Sequence, residues 1–334
     1  MKKIQFKDSV MVLELLDDVL ISHQKALKIN KSDTIMKVID LLKKGTAVEE
    51  LRNCIPNDDV VNLIEKLNAI NALIESWENK YKNQHVERQL FYWEQYDDNP
   101  NMLQNKLEDC RVAIIGLGGV GGVVLQNLVA AGVKNYILVD YDKVELHNLN
   151  RQYTYNLESV GKLKTSESKG YIEQISKDSN VITFNEQILS HKDLNILNDF
   201  PIDIIVNAAD QPFNISEEIY LYCKKRNIPF ITGGLGIYSG SFGPLLDRYS
   251  YEKQIAFETV NDPLIKKYYS GSPVKGSIGT TNSIISSLMA HNIILYLIEK
   301  KPFAYEKQVS LNFNNLSFDI RVFEGEKNEK STYS

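Results

Sequence analysis

A chain of 334 residues has room for one large α/β domain and one small one. Its 43% hydrophobic and 24% charged residues, with a formal net charge of −5, suit a soluble globular protein and lack the basic excess of a nucleic-acid binder. No apolar run approaches the ~20 residues of a membrane span, Met1 to Lys7 has no signal-peptide core, and Cys54, Cys110 and Cys223 are too scattered for a disulfide framework or zinc site; a cytoplasmic protein is expected, with neither nucleic acid nor membrane as partner.

Residues 1–80 read as a unit of their own. Met11 to Leu13 and Val19 to Ile21 are short strand candidates split by Asp17 and Asp18. Ser32 or Asp33 can cap a helix whose apolar residues Ile35, Val38, Ile39 and Leu42 fall on one face, and Gly45 ends it. Thr46 and Glu49 have the spacing of a capping box that opens a second short helix through Leu51. Asn57 or Asp58 starts a third, with Val60, Leu63, Ile64 and Leu67 on one face, and Ala72 to Ile74 begin a closing wing. Small strands, three short helices and a wing predict a winged-helix-like domain. Three acids against one lysine in the Asp58–Lys66 stretch argue against DNA. A short exposed strand edge suits an added peptide strand instead. Residues 81–107 are polar and aromatic-rich, and read as a connector carrying Arg88.

The large domain begins with Arg111 to Ile115, a β-branched run of the kind buried in parallel sheets. Gly116, Gly118, Gly119, Gly121 and Gly122 follow, then a helix from Val123 to Ala131 stopped by Gly132. Strand, glycine turn and helix together let backbone approach a phosphate at a helix N-terminus. The next strand, Tyr136 to Val139, ends at Asp140, an acid placed to accept from a ribose. Asn148, Asn150, Arg151 and Gln152 form a dense set of polar side chains beside that turn. Lys162 and Lys164 stand at the start of a helix running to Ile175, where cations oppose the helix dipole; facing phosphates would explain them, as would simple solvation. Val181–Phe184 and Ile202–Asp210 are further strands, the latter ending in an acid that points to the same crevice as Asp140. A carboxylate there suits Mg²⁺ beside a triphosphate. Ser216–Arg226 is a helix and Pro229–Thr232 a strand; the glycines at 233–236 and 240–243 mark a switch to antiparallel pairing. Residues 245–277 read as a long loop over the site, Ser283–Lys300 as an apolar helix, and the alternation about Asn314 and Asn315 as a hairpin. The tail, 326–334, is polar and expected to be disordered.

These residues in this order carry a resemblance. Gly116-x-Gly-Gly-x-Gly, Asp140-x-Asp142, Asn148-Leu-Asn-Arg-Gln152, Val160-Gly-x-x-Lys164 and Ala209-Asp210 are similar to the ThiF/MoeB/MccB superfamily of ubiquitin-activating-enzyme-like adenylyltransferases over roughly residues 85–325. The small N-terminal domain and Ala209-Asp-Gln-Pro-Phe-Asn214 resemble the MccB, microcin-maturing branch, and residues 1–80 resemble PqqD-type leader-peptide-binding domains. The resemblance implies an α/β fold: a Rossmann-like, mostly parallel sheet with antiparallel C-terminal strands, spanning residues 108–325. It implies that Gly116, Gly118, Gly119, Gly121, Asp140, Asp142, Asn148 and Gln152 bind the nucleotide. Arg151 and Lys164 would stabilise charge on the α-phosphate, Asp210 would hold Mg²⁺, and Arg88 would reach the site of the partner subunit in a homodimer. The cysteine pairs that bind structural zinc in many members have no counterpart near Tyr249–Phe257 or Ser283–Asn292, so no zinc is expected; Cys223 reads as core.

The implied activity is ATP-dependent adenylation of a carboxylate on a ribosomally made precursor peptide, with ATP and Mg²⁺ as cofactors. A non-catalytic scaffold presenting a leader peptide to a cyclodehydratase has no need of a complete phosphate site. Adenylation of a sulfur-carrier protein has no need of the N-terminal domain. A nicotinamide oxidoreductase would leave Arg151 and Lys164 unexplained. CTP in place of ATP stays open at this point.

Overall fold

Ser32 opens the first helix of the chain, its Oγ accepting the Ile35 amide at 3.1 Å, and Gly45 closes it at φ +81°. The computed structural model describes residues 2–255, 257 and 276–325. Within them the chain divides into two units, Met1–Asn105 and Lys106–Ser334.

In the first unit the helix just named, α1 (Asp33–Lys44), follows β1 (Lys3–Phe6), β2 (Met11–Glu14), β3 (Asp18–Ser22) and β4 (Ala26–Asn30). After it come β5 (Thr46–Ala47), α2 (Val48–Arg52), α3 (Asn57–Ala69) and β6 (Leu73–Glu75). One antiparallel sheet is the meander β2-β3-β4; the other has the order β5-β1-β6. Val19 and Ile21 of β3 meet Val38, Ile39 and Leu42 of α1 and Val60, Leu63 and Leu67 of α3 in the core. The expected capping box at Thr46 does not form. Thr46 is used in the β5–β1 ladder opposite Ile4, its hydroxyl bonds Glu50, and α2 begins at Val48 without a side-chain cap.

Residues 81–107 are more than a connector. They form α4 (Glu87–Trp93) and α5 (Pro100–Asp109), which bury Leu90, Trp93, Leu103 and Leu107. Glu94, also buried, accepts the Asp8 amide at 2.7 Å and the Trp77 indole at 2.9 Å, stitching this stretch to the first strands. Burial raises its carboxyl pKa against those donors.

The second unit is built on one eight-stranded sheet. Its strands are β7 (Arg111–Ile115), β8 (Asn135–Val139), β9 (Asn180–Phe184), β10 (Ile204–Asn207), β11 (Phe230–Leu235), β12 (Ser239–Leu246), β13 (Lys307–Asn312) and β14 (Phe318–Val322), in the order β14-β13-β12-β11-β10-β7-β8-β9. From β9 to β11 the pairing is parallel, and from β11 to β14 antiparallel, the change falling at the glycines of β11 and β12 as expected. The order reverses between β7 and β10, where open α/β sheets bind ligands beyond the strand ends. The helices are α6 (Gly119–Ala130), α7 (Lys164–Ile175), α8 (Ile215–Arg226), α9 (Arg248–Glu252) and α10 (Gly279–Leu297).

Several boundaries move. α6 starts four residues earlier than Val123 and takes Gly119, Gly121 and Gly122 into its first turns, because close packing and not flexibility demands glycine at 119 and 121. β10 stops at Asn207, leaving Asp210 exposed beyond its end. Asp247 caps α9 through the amides of Tyr249 and Ser250, so the stretch from 245 begins as strand and helix. Residues 256, 258–275 and 326–334 lie outside the described residues, and with them the expectations of a loop over the site and a disordered tail.

Candidate active site

Gly116 leaves β7 at φ +88°, and a Cβ there would lie 2.7–2.8 Å from the backbone of Ala208 and Ala209. The loops after β7 and β10 thus touch across the crevice. A Cβ on Gly121 would sit 1.9 Å from the Gly116 carbonyl oxygen. These two glycines fold the turn onto the N-terminus of α6. Its N-cap is Gly118, which has no side chain to accept from the first turn, so that end keeps donors for an anion.

Asp140, directly after β8, holds the turn from the other side. Its two oxygens accept the amides of Leu117 at 2.6 Å and Asp142 at 2.8 Å. Burial pushes its carboxyl above the usual range, while Lys164 and the two amides oppose the shift. Asp142 in turn takes Lys164 Nζ at 2.7 Å. The Lys164 side chain is only 8% exposed, whereas Asp142 is 46% exposed. The hydroxyl of Tyr155, donated to the Leu117 carbonyl at 2.9 Å, braces the same turn. A chain of contacts therefore runs from the glycine turn through Asp140 and Asp142 to a buried ammonium. Lys162, by contrast, is exposed and faces Glu167 at 3.6 Å, the solvated alternative.

The short 3₁₀ helix Leu146–Asn150 delivers the remaining polar groups. Asn148 is buried, and its Oδ1 accepts the Glu145 amide at 3.0 Å, so its side chain shapes this helix. Arg151 bonds the His147 carbonyl at 3.0 Å and Asn150 Oδ1 at 2.9 Å, and its Cγ lies 3.4 Å from where a Gly119 Cβ would be. Gln152 is 3% exposed beside Gly118, with an unpartnered Oε1. Asp210 is exposed and makes no ion pair or hydrogen bond among the described residues. Tyr141 ties it to the group: burial, then Asp142, Asp140 and Asp210 raise the phenol pKa, with Lys164 opposing. Arg88 belongs to the first unit, on α4, where it is exposed and unpaired among the described residues.

Two residues escaped the sequence reading. Asn282 of α10 is buried, donates to Ser277 Oγ at 2.9 Å and the Ile278 carbonyl at 2.7 Å, and sets its Oδ1 against Gly119. Tyr141 is the other, a half-exposed phenol whose pKa Asp142, Asp140 and Asp210 help to raise after burial. Asn282 lies just before the apolar helix expected from Ser283, among Thr280, Thr281 and Ser283, and no pattern there singled it out.

A family model described as the ThiF family matches residues 86–333. The chain belongs to the ThiF family. Among curated proteins, the adenylyltransferase and sulfurtransferase UBA4 of Meyerozyma guilliermondii is 29% identical over 177 residues, 52% of this chain and 38% of that one. The molybdopterin-synthase adenylyltransferase of Haemophilus influenzae is 34% identical over 130 residues, 39% of this chain and 52% of that one. This ThiF-family chain thus spans about half or less of the length of those relatives. In fold the likeness is fuller. E. coli MccB solved with ATP superposes with a TM-score of 0.83 at 23% identity, covering 98% of each chain. MccB in complex with N-formylated MccA gives 0.82 at 22% identity with the same coverage. Those matches extend to the first 85 residues, which the ThiF model does not reach.

The cysteines of this ThiF-family chain are free. Cys223 is fully buried in α8, and burial raises its thiol well above the usual range, which fits core and not a nucleophile. Burial, with Asp203 and Asp109, pushes Cys110 up to about 12. Buried Asp247 joins the segments around α9 and α10: it accepts the hydroxyls of Tyr305 at 3.0 Å and Tyr296 at 3.2 Å besides its two capping amides. That network supplies a cross-link without metal. Elemental analysis of the purified protein should therefore find no stoichiometric zinc, and a chelator should leave its melting temperature unchanged; one zinc per chain would overturn this.

Proposed function

We propose that this chain is an ATP-dependent adenylyltransferase that activates a carboxylate of a ribosomally made precursor peptide as an acyl-adenylate. The observation that carries the reading is the buried Lys164 ammonium, bonded to Asp142 and coupled through Asp140 to an uncapped helix N-terminus. A carboxylate oxygen attacking the α-phosphorus brings two anions together, and pyrophosphate leaves as the acyl–phosphate bond forms. Fixed cations and amides compensate that repulsion, and no protein nucleophile is needed. An ammonium has three protons; one goes to Asp142, leaving two for phosphate oxygens. Arg151, beside Gly119, adds a second cation. Asp140 keeps acceptor capacity for the ribose, and Gln152 Oε1 for a donor of the bound nucleotide.

Asp210 would hold Mg²⁺, which supplies charge neutralisation at the phosphates. One free carboxylate fits a cation that completes its shell with phosphate oxygens and water. Residues 1–80 would bind the leader of the precursor, supported by the MccB structures with MccA, which match over that region. The name of a further curated relative, the sulfur carrier protein adenylyltransferase of Thermus thermophilus, favours a competing substrate, a sulfur-carrier protein. Pyrophosphate release from MgATP, with the peptide encoded beside this gene in one arm and a sulfur-carrier protein in the other, separates them. CTP in a third arm settles the base. Release with none of these substrates would sink the peptide reading.

The homodimer reading has its own test. If Arg88 serves the partner's nucleotide, Arg88→Ala and Asp210→Ala chains, each inactive alone, should partly complement when mixed. Hybrid dimers then hold one intact site. Hybrids that form without any recovery would place Arg88 elsewhere.

A further inference from the structure

Asn150, the last residue of the short 3₁₀ helix before Arg151, uses both ends of its side-chain amide. Its Oδ1 accepts from Arg151 Nη1 at 2.9 Å, and its Nδ2 donates to the Ser277 carbonyl at 2.9 Å. A guanidinium only donates and a carbonyl only accepts, so the amide cannot turn end for end without breaking both bonds. Arg151 Nη1 also donates to the His147 carbonyl at 3.0 Å, so both of its hydrogens are taken. The Nε and Nη2 hydrogens make no bond among the described residues. They remain as donors of the planar kind that can grip a phosphate at two points.

Ser277 stands just ahead of α10, and the start of that helix is seated on the same loop. A Cβ on Gly279 would lie 1.7 Å from the Tyr153 hydroxyl oxygen and 2.9 Å from the Asn150 carbonyl oxygen. Asn282 sets its Oδ1 against Gly119 and donates to the Ser277 hydroxyl at 2.9 Å. Ser277 is therefore held from α10 as well as by Asn150.

We infer that Asn150 is a positioning residue for Arg151: it takes its bearing from Ser277 and holds the guanidinium with its Nε and Nη2 donors free for the phosphates of the nucleotide. The inference rests on the adenylation reading above, in which Arg151 is a phosphate cation, and adds the group that orients it. An unanchored arginine would lose its rotamer freedom on meeting the phosphates; an anchored one has lost it beforehand. The residue type matters too. An aspartate at 150 would also hold Arg151, but it would offset the guanidinium charge, repel the phosphates and lose the donor to Ser277. The amide orients without discharging. Its bond to the Ser277 carbonyl also polarises Oδ1, which strengthens its hold on Arg151.

The test is a double-mutant cycle on the full chain, read as MgATP affinity by calorimetry. Asn150→Ala should weaken MgATP about tenfold, the scale of a hydrogen bond to a charged group. Asn150→Asp should weaken it at least as much, although the two side chains have the same shape. Asn150→Gln, which keeps an acceptor and a donor, should stay within about threefold of the wild type. In an Arg151→Ala chain, which should itself bind MgATP more weakly, adding Asn150→Ala should change the affinity less than about twofold, because the group it acts through is gone. An equal loss with and without Arg151 would make Asn150 a mere anchor of α10 and overturn the inference. Wild-type affinity in Asn150→Ala, beside an impaired Arg151→Ala, would also overturn it and leave the adenylation reading standing. If Arg151→Ala binds MgATP like the wild type, or the wild type binds none, the phosphate site is misplaced and the inference falls with it.

Discussion

Replacing Lys164 with alanine should cut pyrophosphate release by on the order of 100-fold or more while leaving precursor binding nearly intact. The ammonium is a charge fixed before the reaction begins: it is held at 2.7 Å by Asp142, and its side chain is 8% exposed. A preset charge stabilises the crowded phosphorus in the transition state without reorganising at that moment. Its loss leaves Asp142 exposed enough to be solvated, so the fold should bear the change. Lys164→Met, which keeps the stem in its packed place, should share the rate loss with less effect on the melting temperature. The measurements are precursor affinity by calorimetry and pyrophosphate production for both variants. An unchanged rate in Lys164→Ala would mean that the adenylation site lies elsewhere.

The second large effect is expected at Gly121. An alanine there would drive its Cβ to 1.9 Å from the Gly116 oxygen, 2.9 Å from the Gly116 carbonyl carbon and 3.2 Å from the Ala208 side chain. All three belong to the tightest part of the site, and the backbone atoms among them have no rotamer to yield. Overpacking of this kind costs about 1–3 kcal/mol and more where backbone must move. Gly121→Ala should thus melt several degrees lower and lose measurable MgATP binding. Gly170→Ala is the matched control. Gly170 lies within α7 with nothing within 4 Å of a new Cβ, so alanine there should be neutral or stabilising by up to ~1 kcal/mol. Wild-type nucleotide affinity in Gly121→Ala would show that this turn is not where the phosphates lie.

Local signals account for much of what the amino-acid sequence disclosed. The β7–glycine–α6 unit, the strand ending at Asp140, the antiparallel turn of the sheet at the glycines near 233–243 and the hairpin at Asn314–Asn315 all follow from apolar periodicity and breakers within about twenty residues of chain. The capping reading failed at Thr46 because a partner more than forty residues away, Ile4, claimed its backbone for a sheet. The connector failed for the same reason: Trp77 and Asp8 find Glu94 only after folding, and a polar, aromatic stretch becomes partly buried helix.

What the sequence by itself determined is the family pattern and, with it, the candidate residues it carries: glycines, Asp140, Asp142, Arg151, Lys164 and Asp210 in a fixed order. Their chemistry is a property of residue type and spacing, which a linear chain displays. Where each of these side chains lies was decided only in three dimensions. Asn148 turned inward to hold its own helix, Lys162 turned out to Glu167, and Lys164 was buried against Asp142, although all lie within twenty residues. Asn282 came from more than 160 residues away to cover Gly119. Burial and pairing depend on neighbours that the chain brings together by folding, and no periodicity along it encodes them.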